Sequence, residues 1–385
     1  MSSRRGATFA LFSSRFMYAA NWYNLSPAVG QIGAWYGIDR SIVGLIFTAF
    51  LIGAGAFQIP AGILASRIGA KKCSVIGISL MVVSDLLPFY APSFSVLLVF
   101  RMIGGIGAAF FFSSALAVLS DIYPENMTSM IWLYNACFNL GGGFGIIAMT
   151  GALEYSTWIG DSLLMGAMTF PFILLLQTLV PASERFPVTD LPRIREKVLD
   201  LRIWLLAIGF SGFWACSYEF PEFLKDYVSF SGSSSVVSGI IGSLALFAGL
   251  SGILIIPWIK KWEPIKASIL MTALVGIGVM SLPFIGIYGI AAVTIGEGIL
   301  FVLVSALEYV VVLKSEPERR YRPLRLGLFN SIQISLGSFF SLIFTLLLAY
   351  GFTFAWEFLG ITVIALLPAV FLKRRSTLPQ TPLHS

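Results

Sequence analysis

Arg15, Asp85, Arg101, Glu219, Glu222, Glu297 and Glu308 each stand inside a long apolar stretch of this sequence. A charged side chain placed in lipid is costly, so it must pair, face a water-filled cavity or act on a charged solute. Two chemistries follow from these residue types. A guanidinium fork suits bidentate binding of a carboxylate, which makes Arg15 and Arg101 candidates for holding an organic anion. A buried carboxylic acid can hold a proton near neutral pH, which makes Glu297, Glu219 and Asp85 candidates for carrying one. Other chemistries lack their residues. The only histidine is His384, in the tail, so no histidine relay, triad or His-rich metal site is available within the apolar sequence. Cys73, Cys137 and Cys216 have no metal spacing and form no disulfide framework. There is no phosphate-binding P-loop. The sequence therefore predicts neither an enzyme nor a cofactor.

Spacing groups the polar residues further. Ser14, Tyr18, Asn21 and Asn24 follow a helical repeat and form one polar face, with Arg15 and Trp22 beside it. Arg15 either meets a solute or snorkels toward the membrane surface. Asn135 and Asn139 share a face at i, i+4, and Asn330, Gln333 and Gly337 form a comparable one; these amides bind a solute or join helices. In Tyr218-Glu219-Phe220-Pro221-Glu222, the proline kinks the helix and frees carbonyls. Tyr218 is a candidate solute contact, and the two glutamates are either buried acids or part of a solvated rim. Glu297 and Glu308 return to within about 20° of one face, with Glu308 nearer the cytoplasmic end as a gate partner for basic loops. Asp85 and Arg101 lie equally far from a hairpin centred near Ser93, so they sit at similar depth and are placed to pair.

The elements that hold these residues are apolar helices. Of 385 residues, 57% are hydrophobic and 11% charged, against roughly 25% charged in a soluble domain. With about 20 residues needed per span, twelve stretches can be placed, at about 7–35, 42–65, 73–91, 94–119, 129–153, 158–180, 202–228, 236–258, 266–284, 287–313, 325–350 and 352–372. The fold class is an all-α membrane protein. Residues 1–181 form one six-helix bundle, 182–200 a cytoplasmic linker and 201–385 a second bundle with a short tail. Of the 25 Lys and Arg, all but four fall on one side of this arrangement. The exceptions are Arg40 and Lys225 on the other side and Arg15 and Arg101 within spans. By the positive-inside rule both termini are cytoplasmic. Arg4-Arg5 before an apolar run reads as a cytoplasmic anchor, because the run is too long and lacks a small-residue cleavage site. The basic residues sit in short loops and predict no nucleic-acid partner.

The halves echo each other. Gly62-Ile-Leu before Lys71-Lys72 recurs as Gly252-Ile-Leu before Lys260-Lys261, Ser114-Ala-Leu as Ser305-Ala-Leu, and Leu133-Tyr-Asn135 as Leu328-Phe-Asn330. A duplicated unit of this kind places a solute site near the midplane between the repeats.

The loop Gly62-Ile-Leu-Ala-Ser66-Arg67-Ile-Gly69-Ala-Lys71-Lys72 resembles the loop between the second and third spans of the major facilitator superfamily, Gly-x-Leu-x-Asp-Arg-x-Gly-Arg-Lys. Ser66 and Ala70 depart from it. Arg101-Met-Ile-Gly104-Gly105-Ile-Gly107 is similar to a second motif of that family. The resemblance covers about residues 7–373. It implies secondary transport, in which two bundles rock around a central cavity. It also implies a role for Arg101 in proton coupling and a cytoplasmic gate of Gly62, Ser66, Arg67, Gly69, Lys71, Asp121 and Glu308. Branches that carry anions use a first-span arginine for a carboxylate, as Arg15 would be. The implied partners are a small organic solute, protons and membrane lipid, and a plasma-membrane monomer is the default. The expected activity is proton-coupled movement of an organic anion. The alternative is a proton-coupled exporter of amphipathic compounds, favoured by 33 Phe and 9 Trp. Asn139-Leu-Gly-Gly-Gly resembles a nitrate porter signature, but the second and eighth stretches lack the arginines that nitrate transport requires.

Overall fold

A computed structural model describes residues 2–123, 127–182, 191–259, 261–316 and 322–372. Among these residues every regular element is a helix. The first expected stretch is broken. α1 (Ser2–Tyr23) ends before a 3₁₀ turn at Ser26–Ala28 that contains Pro27, and α2 (Val29–Tyr36) follows. Proline lacks the N–H that would continue the helical ladder. The second stretch divides into α3 (Arg40–Val43), α4 (Leu45–Ala56) and α5 (Gln58–Ile68). Helical segments Arg4–Tyr36 and Arg40–Ala56 meet at 119°. Gly69 ends α5 and precedes α6 (Ala70–Leu86) with φ of +95°, a conformation that a residue with a Cβ rarely adopts. α7 (Phe94–Ile122), α8 (Met127–Ala152) and α9 (Trp158–Leu179) complete the first half. The short α10 (Leu191–Val198) then leads to α11 (Leu201–Phe230), which Asp200 caps by accepting the Arg202 N–H at 3.0 Å. α12 (Ser235–Ile259), α13 (Pro264–Ser281), α14 (Ile287–Ser315), α15 (Arg322–Leu347) and α16 (Phe352–Leu366) make up the second half.

Among the described residues nine helices are long and apolar enough to cross a membrane, or ten if the bent pair is one span. The first two expected stretches form that pair, and the fifth is the 26-residue α8. Leu254, Trp258, Tyr288 and Leu372 lie bare on the outside, where contiguous apolar surface fits lipid rather than water.

The packing repeats. In the first half α1 contacts α8 and α9, α7 contacts α4 and α6, and α6 contacts α9. In the second half α11 contacts α15 and α16, α14 contacts α12 and α13, and α13 contacts α16. Replacing α1, α4, α6, α7, α8 and α9 by α11, α12, α13, α14, α15 and α16 turns one set into the other. Across the halves α8 packs on α12 and α4 on α15, and the same replacement exchanges these two contacts. Corresponding glycines permit the tightest approaches. A Cβ on Gly105 of α7 would run into the Phe50 carbonyl of α4, and one on Gly298 of α14 would run into the Ala245 carbonyl of α12. Small residues at such crossings let helix backbones touch.

Candidate functional site

A cavity lies between the halves, lined from α1, α5, α7, α8, α11, α12, α14 and α15. Arg15 is the one charged residue on its lining. The guanidinium does not reach out to a membrane surface; the residue is only 5% exposed. Its carbon lies 4.4, 5.0, 4.5 and 4.5 Å from the ring centres of Tyr18, Phe112, Tyr134 and Phe138. Cation–π contacts of this kind hold a charge without using its N–H groups. Arg15 Nε and Nη1 accordingly have no hydrogen-bond partner. Donors left free beside an aromatic wall are what an aromatic or apolar anion needs.

Of the other residues expected to touch a solute, Tyr18, Trp22, Asn135, Asn139, Tyr218 and Asn330 line the cavity. Tyr309 donates to Asn330 Oδ1 at 3.2 Å. Four do not line it. Asn21 donates to the Met17 carbonyl at 2.8 Å and to Thr169 on α9 at 2.7 Å. Asn24 donates to Asp85 at 3.1 Å and accepts from Arg101 Nη1 at 3.3 Å. Arg101 also donates to the Trp22 carbonyl at 3.4 Å, and its guanidinium lies 4.8 Å from the Phe50 ring centre. Gln333 donates to Glu308. The expected polar face of α1 is therefore corrected. Tyr18 and Trp22 turn with Arg15 to the cavity, while Asn21 and Asn24 serve α9 and the Asp85–Arg101 pair. Asp85 and Arg101 do lie at one level and interact, and Asn24, just past the end of α1, bridges the two charges.

For the acids of α11, the first of the two expected alternatives holds. Glu219 and Glu222 are buried, not on a solvated rim. Glu219 accepts from Ser341 on α15, whose hydroxyl lies 3.2 Å from that of Thr48 on α4. Glu297 does not line the cavity; its carboxyl rests over Gly278 on α13. Glu308 is fully buried, and among the described residues no ion pair joins it to a basic side chain. Its Oε2 accepts from Trp214 Nε1 at 2.9 Å and Gln333 Nε2 at 3.0 Å. Among the gate residues, Gly62 and Arg67 are exposed on α5, Lys71 lies in the first turn of α6 and Asp121 near the end of α7. The Ser66 side chain lies outside the described residues.

Sequence reasoning missed several lining residues, among them Gln58, Phe112, Phe138, Trp214, Ser217 and Tyr309. Gln58 alone carried a signal, as an amide in the second apolar stretch.

Above the cavity the halves are joined at the end opposite the α10 linker. Trp22 stacks on Tyr218, with ring centres 5.2 Å apart and planes at 19°. Further out, Ser26 donates to the Glu222 carbonyl, and Lys225 Nζ to the Pro27 carbonyl at 3.1 Å. Arg40 Nε meets Asp226 at 2.8 Å.

A family model described as the Major Facilitator Superfamily matches residues 11–321. The chain belongs to the major facilitator superfamily. Within it, the chain is similar to the 4-hydroxybenzoate transporter PcaK of Pseudomonas putida, 29% identical over 250 residues, covering 62% of this chain and 53% of that protein. It is also similar to the multidrug efflux protein YfmO of Bacillus subtilis, 31% identical over 170 residues and 43% of each chain. A gallate transporter of Pseudomonas putida is 27% identical over 152 residues, 39% of this chain and 34% of that one. The chain spans about half the length of the first two of these curated relatives. A multi-pass membrane protein of this superfamily accounts for the apolar exterior and for the cavity between repeated halves.

Proposed function

We propose that this protein is a secondary active transporter that moves an aromatic carboxylate, coupled to protons, by alternating access. The reading takes the chain as twelve spans in two six-helix units, 1–181 and 201–385, joined by a linker at 182–200. It places a monomer in the plasma membrane with both termini cytoplasmic. The repeated helix contacts support the two units, and the distribution of Lys and Arg supports the orientation. Binding at the junction of the repeats exposes the solute to one side and then the other as the units rock.

One observation carries the choice of solute. Arg15, the one charged group on the cavity lining, keeps two guanidinium nitrogens without partners inside a wall of aromatic rings. A carboxylate takes the free N–H groups bidentately, and an aryl ring packs edge or face against Tyr18, Trp22 and Phe138. Asn135, Asn139 and Asn330 are placed to receive ring substituents. Two of the transporters described above, named for 4-hydroxybenzoate and gallate, handle solutes of that chemistry. Asp85, Glu219 and Glu297 are the acids that the sequence offers for the proton.

The test is uptake of radiolabelled 4-hydroxybenzoate into proteoliposomes with an imposed pH gradient. Replacing Arg15 by Lys, which keeps the charge but not the fork, is expected to weaken uptake about tenfold or more, and Arg15→Ala to abolish it, since charged hydrogen bonds of this kind contribute about 1.5–3 kcal/mol. Wild-type uptake in Arg15→Ala would refute the assignment. A second reading is export of amphipathic compounds. Its support is the aromatic wall itself and the similarity to YfmO. Extrusion of hydrophobic cations with no carboxylate uptake would favour it.

A further inference from the structure

Behind the cavity wall opposite Arg15, α14 and α15 present a carboxyl group and an amide face to face. Gln333 Nε2 donates to Glu308 Oε2 at 3.0 Å, and Trp214 Nε1 donates to the same oxygen at 2.9 Å. Both side chains are fully buried. Each has one remaining oxygen, Glu308 Oε1 and Gln333 Oε1, and both of these are buried with no donor. A buried acceptor without a donor costs about 1–3 kcal/mol. Here two such acceptors belong to a carboxyl and an amide already joined at their other ends. A single hydrogen atom would satisfy both by donating from Glu308 Oε1 to Gln333 Oε1, which would close a two-bond carboxyl–amide ring.

We propose that Glu308 Oε1 holds the proton that this carrier couples to solute movement, with Gln333 as its fixed acceptor. The step is a simple protonation, in which one carboxylate and one proton from the aqueous phase give one carboxylic acid. The inference rests on the transport reading and adds a residue that the sequence assigned to a gate.

The surroundings suit the role. No described ion pair or hydrogen bond places a cation on Glu308. On its own helix the titratable neighbours are Tyr309, which lines the cavity, Glu297, which rests over Gly278, and the exposed Lys314 in the last turn. Facing elements add few others. α12 has no titratable residue over Ser235–Ile259, and α13 has only Lys266, which pairs with Glu263. α15 has Arg322 and Arg325 at its start, the second paired with Asp200. α11 presents Trp214 to Glu308 and carries Cys216, Tyr218 and Glu219 beyond it. Across the cavity stands Arg15. Trp214 connects the ring to the solute space, since it lines the cavity and bonds Glu308 directly. A solute that displaces Trp214 would remove one of the two donors to Oε2 and so change how the proton is held.

The test uses Glu308→Gln in the full chain, because an amide at this position closes the same ring with Gln333 and mimics the protonated acid. In difference infrared spectra between high and low pH, wild-type protein is expected to show a protonated-carboxyl band that Glu308→Gln lacks. Identical spectra would overturn the proposal, whatever the solute. In proteoliposomes, Glu308→Gln is expected to lose pH-driven accumulation of 4-hydroxybenzoate about tenfold more than it loses counterflow, since exchange requires no net release of the proton. Pair losses of equal size would also overturn it. Absence of counterflow in the wild type would instead count against the aromatic carboxylate, leaving the infrared result to decide the role of Glu308.

Discussion

Among the described residues, the charge pairs at the two ends of this molecule differ. At the end opposite the linker, the ties run between halves: Arg40 to Asp226, Lys225 to the Pro27 carbonyl and Ser26 to the Glu222 carbonyl. At the linker end, Lys197 meets Glu316 at 3.0 Å and Arg325 meets Asp200 at 2.8 Å, which fastens α10 and the start of α11 to the second half. The first set would have to break for the halves to part at that end. The second set can persist through such a movement. On the proposed alternating-access reading, charge pairs between units would set which side is closed, whereas pairs within a unit would hold that unit together.

Three substitutions can break or sharpen this contrast. The largest effect is expected at the linker end. Arg325 is 2% exposed and Asp200 35%. Arg325→Met should lower stability by roughly 2 kcal/mol, less than a fully buried pair because water reaches Asp200. The check is a thermal unfolding scan in detergent together with gate accessibility. A change in the open fraction with no loss of stability would contradict the division of roles. Next comes Gly44. A Cβ there would run into the Thr345 methyl and lie 2.8 Å from Phe223 Cζ across the halves. Gly44→Val should wedge the far end apart by about 1–3 kcal/mol, read as increased distances between spin labels on the two halves, with little change in thermal stability. The smallest effect is expected for the Arg40–Asp226 pair, whose arginine is partly exposed. Arg40→Asp should reduce uptake about threefold to tenfold, and adding Asp226→Arg should restore most of it, as for a partly screened pair. No recovery in the swapped protein would show that the ring contacts of Arg40 with Phe230 and Phe352, at 5.5 and 5.2 Å, matter more than its charge.

Helices were legible in the sequence because apolar length decides them, and so were the polar residues that lipid would exclude. Side-chain partners were less so. The depth argument for Asp85 and Arg101 treated two helices alone, and the turn after α1 inserts Asn24 between them. Asn21 and Asn24 fit a helical repeat, yet the cavity face of α1 runs through Arg15, Tyr18 and Trp22, because α9 claims the side that bears Asn21. Aromatic lining residues such as Phe138 and Trp214 gave no contrast in a chain with 33 Phe and 9 Trp. The Glu308–Gln333 pair joins separate helices at positions 25 residues apart, so no local pattern announces it.

The rings around Arg15 also bear on what this protein excludes. A chloride ion is small and firmly hydrated, and at this place it would surrender its water for a few N–H groups and aromatic carbon. An aryl carboxylate gives up little water from its ring and regains contact there. On the proposed reading, a binding site built in this way would favour a scarce organic acid over the chloride of a medium rich in salt.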